Sequence, residues 1–206
     1  MSDEWHTNAQ ICALAARCVG GRFTLDPFGH PDAPITAYCK EIFTAEDDGF
    51  ALQWRGRIWI NPPFSRSDAA WRAAEQEIDA GRVRELVGIW PESPGAGYWA
   101  GIFARCHVTF AGRLPHQDPR GELREAPRGN VALVGYGMSF ERWRQVFGGL
   151  GPTLARGLVR LPRATDQASI ELLDDEANAA EVARRHGLTP AHARQLRMRM
   201  RRWTAA

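Results

Sequence analysis

Short apolar segments alternate with helical patterns along most of this 206-residue chain. Five of the apolar segments are short, are bounded by Gly or Pro, and read as β-strands: Arg22–Asp26, Arg57–Asn61, Val83–Trp90, His107–Phe110 and Asn130–Tyr136. Strands that alternate with helices pack most simply as one sheet covered by helices. The chain is therefore predicted to be an α/β protein.

The helical patterns lie between these segments. The clearest one follows Ser67, a residue type that can cap a helix, and Gly81 stands where such a helix would end. Apolar side chains recur in it every three or four positions, at Ala70, Trp71, Ala74 and Ile78. Similar spacing predicts helices over residues 7–18, Tyr98–Ala104 and Phe140–Phe147.

Charge is segregated near the C-terminus. Residues 166–181 carry six acidic side chains and no basic one, whereas residues 182–206 carry seven arginines and no acid. Together with the turn-rich run Gly148–Gly157, this predicts two domains, 1–165 and 166–206. The spacing of small and apolar residues in the second domain is typical of a helix-turn-helix.

The second predicted helix of that C-terminal segment presents polar side chains suited to phosphate and base contacts. These candidate DNA-binding residues are Arg194, Gln195, Arg197 and Arg199. The alternative is an amphipathic helical hairpin that packs on the first domain or on a second subunit, with solvated arginines.

Several classes of protein are disfavoured. No run approaches the ~18 apolar residues of a membrane span, and the N-terminus does not resemble a secretory signal, which favours a cytoplasmic protein without a membrane partner. The four cysteines have no CxxC spacing, so neither a metal site nor a disulfide framework is expected. Buried thiols are the simpler interpretation.

The sequence Asn61-Pro62-Pro63-Phe64 directly follows an apolar strand. An Asn side-chain oxygen and the backbone carbonyl of Pro62 could together accept both N–H bonds of an amino group on a planar ring, which would free its lone pair for attack on a methyl group. The two prolines would hold this backbone rigid, and Phe64 would offer an aromatic face to a base. A simple strand-ending turn is the alternative, since Asn-Pro is a common turn former.

This motif resembles the D/N/S-PP-Y/F/W motif of amino-group DNA methyltransferases. More narrowly, four segments look like the phage-encoded, Dam-type N6-adenine methyltransferases, with a similarity that extends to about residue 145: Trp5–Thr7, Phe23–Pro27, Ala45–Trp54 and Arg57–Ser65. The resemblance implies a Rossmann-like methyltransferase sheet and S-adenosylmethionine as the methyl donor. It also implies double-stranded DNA as the substrate, with a flipped-out adenine receiving the methyl group.

The resemblance also implies residues that bind the donor. It assigns Asp26 to the donor pocket and Asp48 to the side of the donor's adenine, although Glu46 and Asp47 fit that place equally well. Trp5 and Thr7 resemble an N-terminal W-x-T-P element that closes over the donor, with Asn8 in place of the proline.

Two features depart from the usual methyltransferase pattern. The loop after the first strand has one glycine, Gly29, and no GxG. Only 34 residues separate Asp26 from Asn61, too few for two full crossovers, which predicts an abbreviated sheet. These departures leave open a DNA-binding regulator on a decayed methyltransferase scaffold. The same acceptor pair also leaves open methylation of cytosine N4 or of a protein glutamine.

Overall fold

The computed structural model describes residues 6–117, 122–124, 129–157, 179–185, 189, 191 and 193. The chain divides into two compact units, Met1–Val159 and Arg160–Ala206. Trp5 and the four predicted DNA-binding residues of the C-terminal segment (Arg194, Gln195, Arg197 and Arg199) lie outside the described residues. Their roles remain predictions.

The first unit contains a main sheet and a small one. In chain order the strands are β1 His6–Thr7, β2 Phe23–Asp26, β3 Cys39–Ile42, β4 Gly56–Ile60, β5 Val83–Pro91, β6 His107–Gly112, β7 His116–Gln117, β8 Leu123–Arg124, β9 Val131–Tyr136 and β10 Thr153–Leu154. The main sheet has the order β10-β6-β9-β5-β4-β2-β3, and the small sheet has the order β1-β7-β8. The predicted α/β sheet with flanking helices is confirmed.

Helices flank the main sheet. Four of them belong to the first unit: α1 Ala9–Cys18, α2 Ser67–Asp79, α3 Trp99–Arg105 and α4 Phe140–Phe147. The expectation that Ser67 caps α2 is wrong, because Ser67 is already inside the helix and its hydroxyl donates to the Phe64 carbonyl at 2.9 Å. A 3₁₀-helix over Phe64–Arg66 leads directly into α2, so no polar cap is needed there.

In the parallel half of the sheet, the order in which the chain adds strands reverses at β2. Strands β3, β2, β4 and β5 are parallel neighbours, whereas β9 pairs antiparallel with both β5 and β6. After β2 the chain passes to β3 on one side and then returns to β4 on the other. In open α/β sheets a ligand crevice forms at such a point, outside the carboxyl ends of the strands.

The passage between β2 and β4 is short. It holds one strand, β3, and one 3₁₀-helix, Pro34–Tyr38, where a longer sheet would carry further strands and helices. Leu25 of β2 is in register with Ile58 of β4, so the end of β2 stands beside the end of β4. This arrangement brings the segment after Asp26 next to the segment that begins at Asn61.

The core lies on both faces of the sheet and is rich in tryptophan. Six tryptophan side chains are almost fully buried: Trp54, Trp59, Trp71, Trp90, Trp99 and Trp143. The four cysteines are buried free thiols, as predicted. No helix in the described ranges is long and apolar enough to cross a membrane, and the same residues contain no cluster of metal-ligating side chains.

The second unit is described over one helix, α5 Ala179–Arg185, and three single residues beyond it. In α5 Glu181 pairs with Arg185 one turn later, at 3.6 Å. The first helix of the predicted helix-turn-helix coincides with α5, and its second helix falls on residues that are mostly outside the description. The helix-turn-helix therefore remains a prediction.

Candidate active site

A cavity of about 670 Å³ opens at the carboxyl ends of β2 and β4, where the order of the strands reverses. Five of the predicted site residues line it: Thr7, Asp26, Asp48, Asn61 and Pro63. They come from four separate parts of the chain, and the fold brings them to one place. Pro62 and Phe64 do not line the cavity.

Asp26 ends β2 and lies at the bottom of the cavity with 2% of its surface exposed. Its Oδ1 atom accepts a hydrogen bond from the Phe28 N–H at 3.0 Å. Loss of solvation raises the pKa of the carboxyl from 3.8 to about 7, and the hydrogen bond from Phe28 offsets only part of this rise. A cation beside Asp26 would favour the charged form, so this carboxylate is suited to a positively charged ligand group.

The N-terminal strand β1 covers one side of the cavity. His6 and Thr7 line it, and β1 is held in place by antiparallel pairing with His116 and Gln117. Asn8, which stands where the family element has proline, caps α1: its Oδ1 accepts from the Ile11 N–H, and its Nδ2 donates to the Pro115 carbonyl at 2.6 Å. The substitution of the proline thus supplies a helix cap that also ties β1 to the rest of the unit.

The loop over residues 44–50 forms the opposite wall. Its three acids are not equivalent, because the Asp47 carboxylate accepts hydrogen bonds from both the N–H and the hydroxyl of Thr44. Glu46 and Asp48 line the cavity, whereas Asp47 does not. The geometry therefore favours Glu46 or Asp48, and not Asp47, as the acid that faces a ligand.

Gly49 allows this loop to approach the loop that follows β2. A Cβ atom at Gly49 would lie 1.8 Å from the Pro27 carbonyl oxygen, a backbone atom that cannot turn aside. Sequence reasoning missed Gly49, and its only signal was the turn composition of the surrounding run. The close contact fixes the distance between two walls of the cavity.

A substitution at Gly49 should therefore damage the cavity. Gly49→Ala is expected to weaken binding of S-adenosylmethionine by at least about tenfold, because the methyl group must push the two loops apart. Isothermal titration calorimetry measures this. Gly95→Ala, in an exposed loop where the new Cβ meets no atom within 4 Å, is the matched control and should bind like the wild type. Equal affinities for both variants would contradict this role for Gly49.

The Asn61-Pro62-Pro63-Phe64 segment leaves β4 at the cavity edge. The strand itself is fully buried at Ile58, Trp59 and Ile60. Asn61 is half-buried and lines the cavity together with Pro63, while Pro62 is buried behind them. Phe64 is half-buried and packs against the core. Phe64 is not among the residues that line the cavity, whereas the aromatic residues Phe28, Phe50 and Trp59 are. The stacking role predicted for Phe64 stays a prediction.

Two buried polar atoms at the cavity have no hydrogen-bond partner among the described residues: the Thr7 hydroxyl and the Trp59 indole N–H. Buried polar groups are nearly always paired, so unpaired ones beside a cavity point to a polar ligand. Thr7 lines the cavity together with Asp26, whereas the Trp59 side chain has no exposed surface. A carboxyl and a hydroxyl group at one cavity suit a ligand that carries a positive charge and a hydrogen-bond acceptor.

The family model for DNA N-6-adenine-methyltransferase (Dam) matches residues 1–113, which is more than half of the chain. The chain belongs to the Dam family. Membership implies DNA N6-adenine methyltransferase activity and therefore a DNA substrate. No curated protein is significantly similar to the chain. The matched part of this Dam-family chain includes all the residues that line the cavity, and β9, α4 and β10 follow it to complete the sheet.

Proposed function

We propose that this Dam-family protein transfers a methyl group from S-adenosylmethionine to N6 of an adenine flipped out of double-stranded DNA. One observation carries the proposal: Asn61 of the NPPF motif and the buried Asp26 line the same cavity at the strand reversal. For a methyl group to pass directly from donor to base, the residue that holds the target base and the residue that binds the donor must lie close together. An extruded base is required because N6 of a paired adenine is engaged in the duplex.

The residues present fit the donor. Asp26 would hold its ammonium group, and the Thr7 hydroxyl, which has no partner among the described residues, would donate to its carboxylate. Asp48 or Glu46 would face the hydroxyls or the adenine at its other end. When bound, S-adenosylmethionine supplies an electrophilic methyl group on a sulfonium.

Asn61 and Pro62 act on the target. The Asn61 side-chain oxygen and the Pro62 carbonyl would accept the two N–H bonds of the adenine amino group, which shifts its nitrogen towards a pyramidal form with an available lone pair. Because Pro62 does not line the cavity, its carbonyl would meet the amino group at the cavity edge, beside Asn61 and Pro63. Pro62 and Pro63 each fix φ and restrict the residue before them, so these acceptors keep their positions during the reaction. No general base with a special pKa is needed to start the attack.

The labelled product tests the proposal. Purified protein is incubated with methyl-labelled S-adenosylmethionine and unmethylated genomic DNA, and the DNA is digested to nucleosides. Labelled N6-methyladenine is the expected product. Label on cytosine N4 or on protein would contradict the substrate, and absence of label with retained DNA binding would contradict the enzymatic function.

A further inference from the structure

Arg66 lies at the edge of the cavity on the NPPF side. It ends the 3₁₀-helix Phe64–Arg66, and its backbone N–H donates to the Pro63 carbonyl at 2.8 Å. The side chain is exposed and lines the cavity. Arg66 is therefore fixed through its backbone to the same short segment that presents Asn61.

The guanidinium of Arg66 is held by an aromatic ring. Its Cζ atom lies 3.9 Å from the centroid of Phe50, which in turn contacts Phe28 with a centroid separation of 4.7 Å. Stacking uses the flat face of a guanidinium and leaves the N–H donors around its edge available. The ring thus orients the charge without neutralising it.

The charge distribution around the cavity is uneven. Asp26, Glu46 and Asp48 contribute carboxyl groups, while Arg66 is the one arginine or lysine among the described residues that line it. Within the described ranges Arg66 makes no ion pair with any of these acids. This distribution would repel a DNA backbone from the acidic wall and attract it to Arg66, which favours a path on the NPPF side of the cavity.

We propose that Arg66 is a positioning residue that binds a DNA phosphate next to the target adenine, oriented for this by its contact with Phe50. The inference rests on the proposed function. An adenine held by Asn61 remains attached to its sugar and phosphates, which extend back towards the cavity mouth. A planar guanidinium suits a phosphate there because it can form two parallel hydrogen bonds.

The test compares Arg66→Ala and Arg66→Lys with Arg72→Ala. Arg72 is an exposed arginine on α2 that pairs with Asp68, and it does not line the cavity, so it controls for the loss of one positive charge. Binding to a fluorescein-labelled duplex of mixed sequence is measured by anisotropy over a series of NaCl concentrations. Binding of S-adenosylmethionine is measured by calorimetry, and thermal melting checks the fold.

Arg66→Ala is expected to weaken DNA binding by about ten- to a hundredfold and to reduce the salt slope by about one. Arg66→Lys should keep the slope and lose part of the affinity, since it retains the charge but not the planar fork. Donor affinity should stay within about twofold of the wild type. A purely structural role for Arg66 would not change the salt slope.

Other results would overturn the inference. If Arg66→Ala bound DNA as Arg72→Ala does, Arg66 would not contact a phosphate. If the variant bound S-adenosylmethionine more weakly but bound DNA normally, Arg66 would instead belong to the binding site of S-adenosylmethionine. Wild-type protein that binds DNA but transfers no methyl group would refute the proposed function, while the comparison of slopes would still decide the role of Arg66. Absence of DNA binding by the wild type would refute both.

Discussion

Replacing Asn61 with alanine is expected to lower the rate of methyl transfer to DNA by about 10²- to 10³-fold, the usual cost of removing one group that stabilises developing charge. The alanine cannot accept an N–H bond from the adenine amino group, so the nitrogen lone pair stays delocalised in the ring. Initial rates of label incorporation at saturating DNA and donor measure the effect. Because the loss lies in the reaction step, it should appear in kcat.

The controls separate chemistry from binding. Donor affinity and DNA affinity of Asn61→Ala should stay close to the wild type, since Asp26 and the basic side chains are unchanged. Asn61→Asp keeps an oxygen acceptor at the same position and should retain far more activity than Asn61→Ala. Loss of donor binding and DNA binding together in Asn61→Ala would show that Asn61 supports the fold and not the reaction.

The central strands could be predicted from the sequence because they are buried on both faces. β9 is a continuous apolar run and so is β5 from Leu86 to Trp90, and both strands end within one residue of the predicted bounds. β3, with the sequence CKEI, was missed. It is an edge strand with two exposed charged residues, and its apolar residues do not alternate with polar ones. β1 and β10 have two residues each, and only pairing with distant strands defines them.

The site was predictable to the extent that its chemistry is local. Asn61 stands in a four-residue motif, and Asp26 ends a recognisable strand, so both could be named from the sequence. Gly49, Phe50 and Arg66 could not, because their significance lies in contacts with residues distant in sequence, such as the 1.8 Å approach to Pro27. The packing of Phe64 against the core could not be foreseen for the same reason, since the sequence does not show on which side of the segment the core lies, and its stacking on a base stays a prediction.

Replacing Asp26 with asparagine is expected to weaken donor binding, to an affinity that calorimetry at high donor concentration still measures, and at the same time to stabilise the protein at pH 8. The variant loses the anion that would hold the donor's ammonium group, while the Phe28 N–H still finds an oxygen acceptor on the new side chain. Calorimetry with S-adenosylmethionine measures the first effect, and urea unfolding measures the second. Weaker donor binding together with a larger free energy of unfolding would show that Asp26 serves ligand binding and destabilises the fold.

The sign of the pH dependence follows from the raised pKa. In the unfolded chain the Asp26 carboxyl ionises near 3.8, and in the folded protein near 7, so the folded state binds the extra proton between these values. Stability from this group is therefore fully present below pH 4 and falls as the pH rises to 7, by about 4 kcal/mol over the whole range. The stability advantage of Asp26→Asn should accordingly be larger at pH 8 than at pH 5.

Donor binding should show the complementary behaviour. A bound ammonium group favours the Asp26 carboxylate, so binding below pH 7 releases a proton, and affinity falls by up to about tenfold for each further pH unit. Calorimetry at pH 6 in two buffers with different ionisation enthalpies measures that proton. It should be released by the wild type and not by Asp26→Asn. The neighbouring thiols do not interfere, because burial raises the pKa of Cys39 to about 12 and that of Cys12 still higher.

Asp48→Asn is the matched control for this prediction. It removes the same charge from the same cavity, but from an exposed position, where Asp48 has a positive φ of 48° that asparagine also tolerates. Its stability should therefore stay within about 0.5 kcal/mol of the wild type at both pH values. If Asp26→Asn behaved like Asp48→Asn in unfolding and released the same proton on binding as the wild type, the buried carboxyl would not be the group that meets the donor's positive charge.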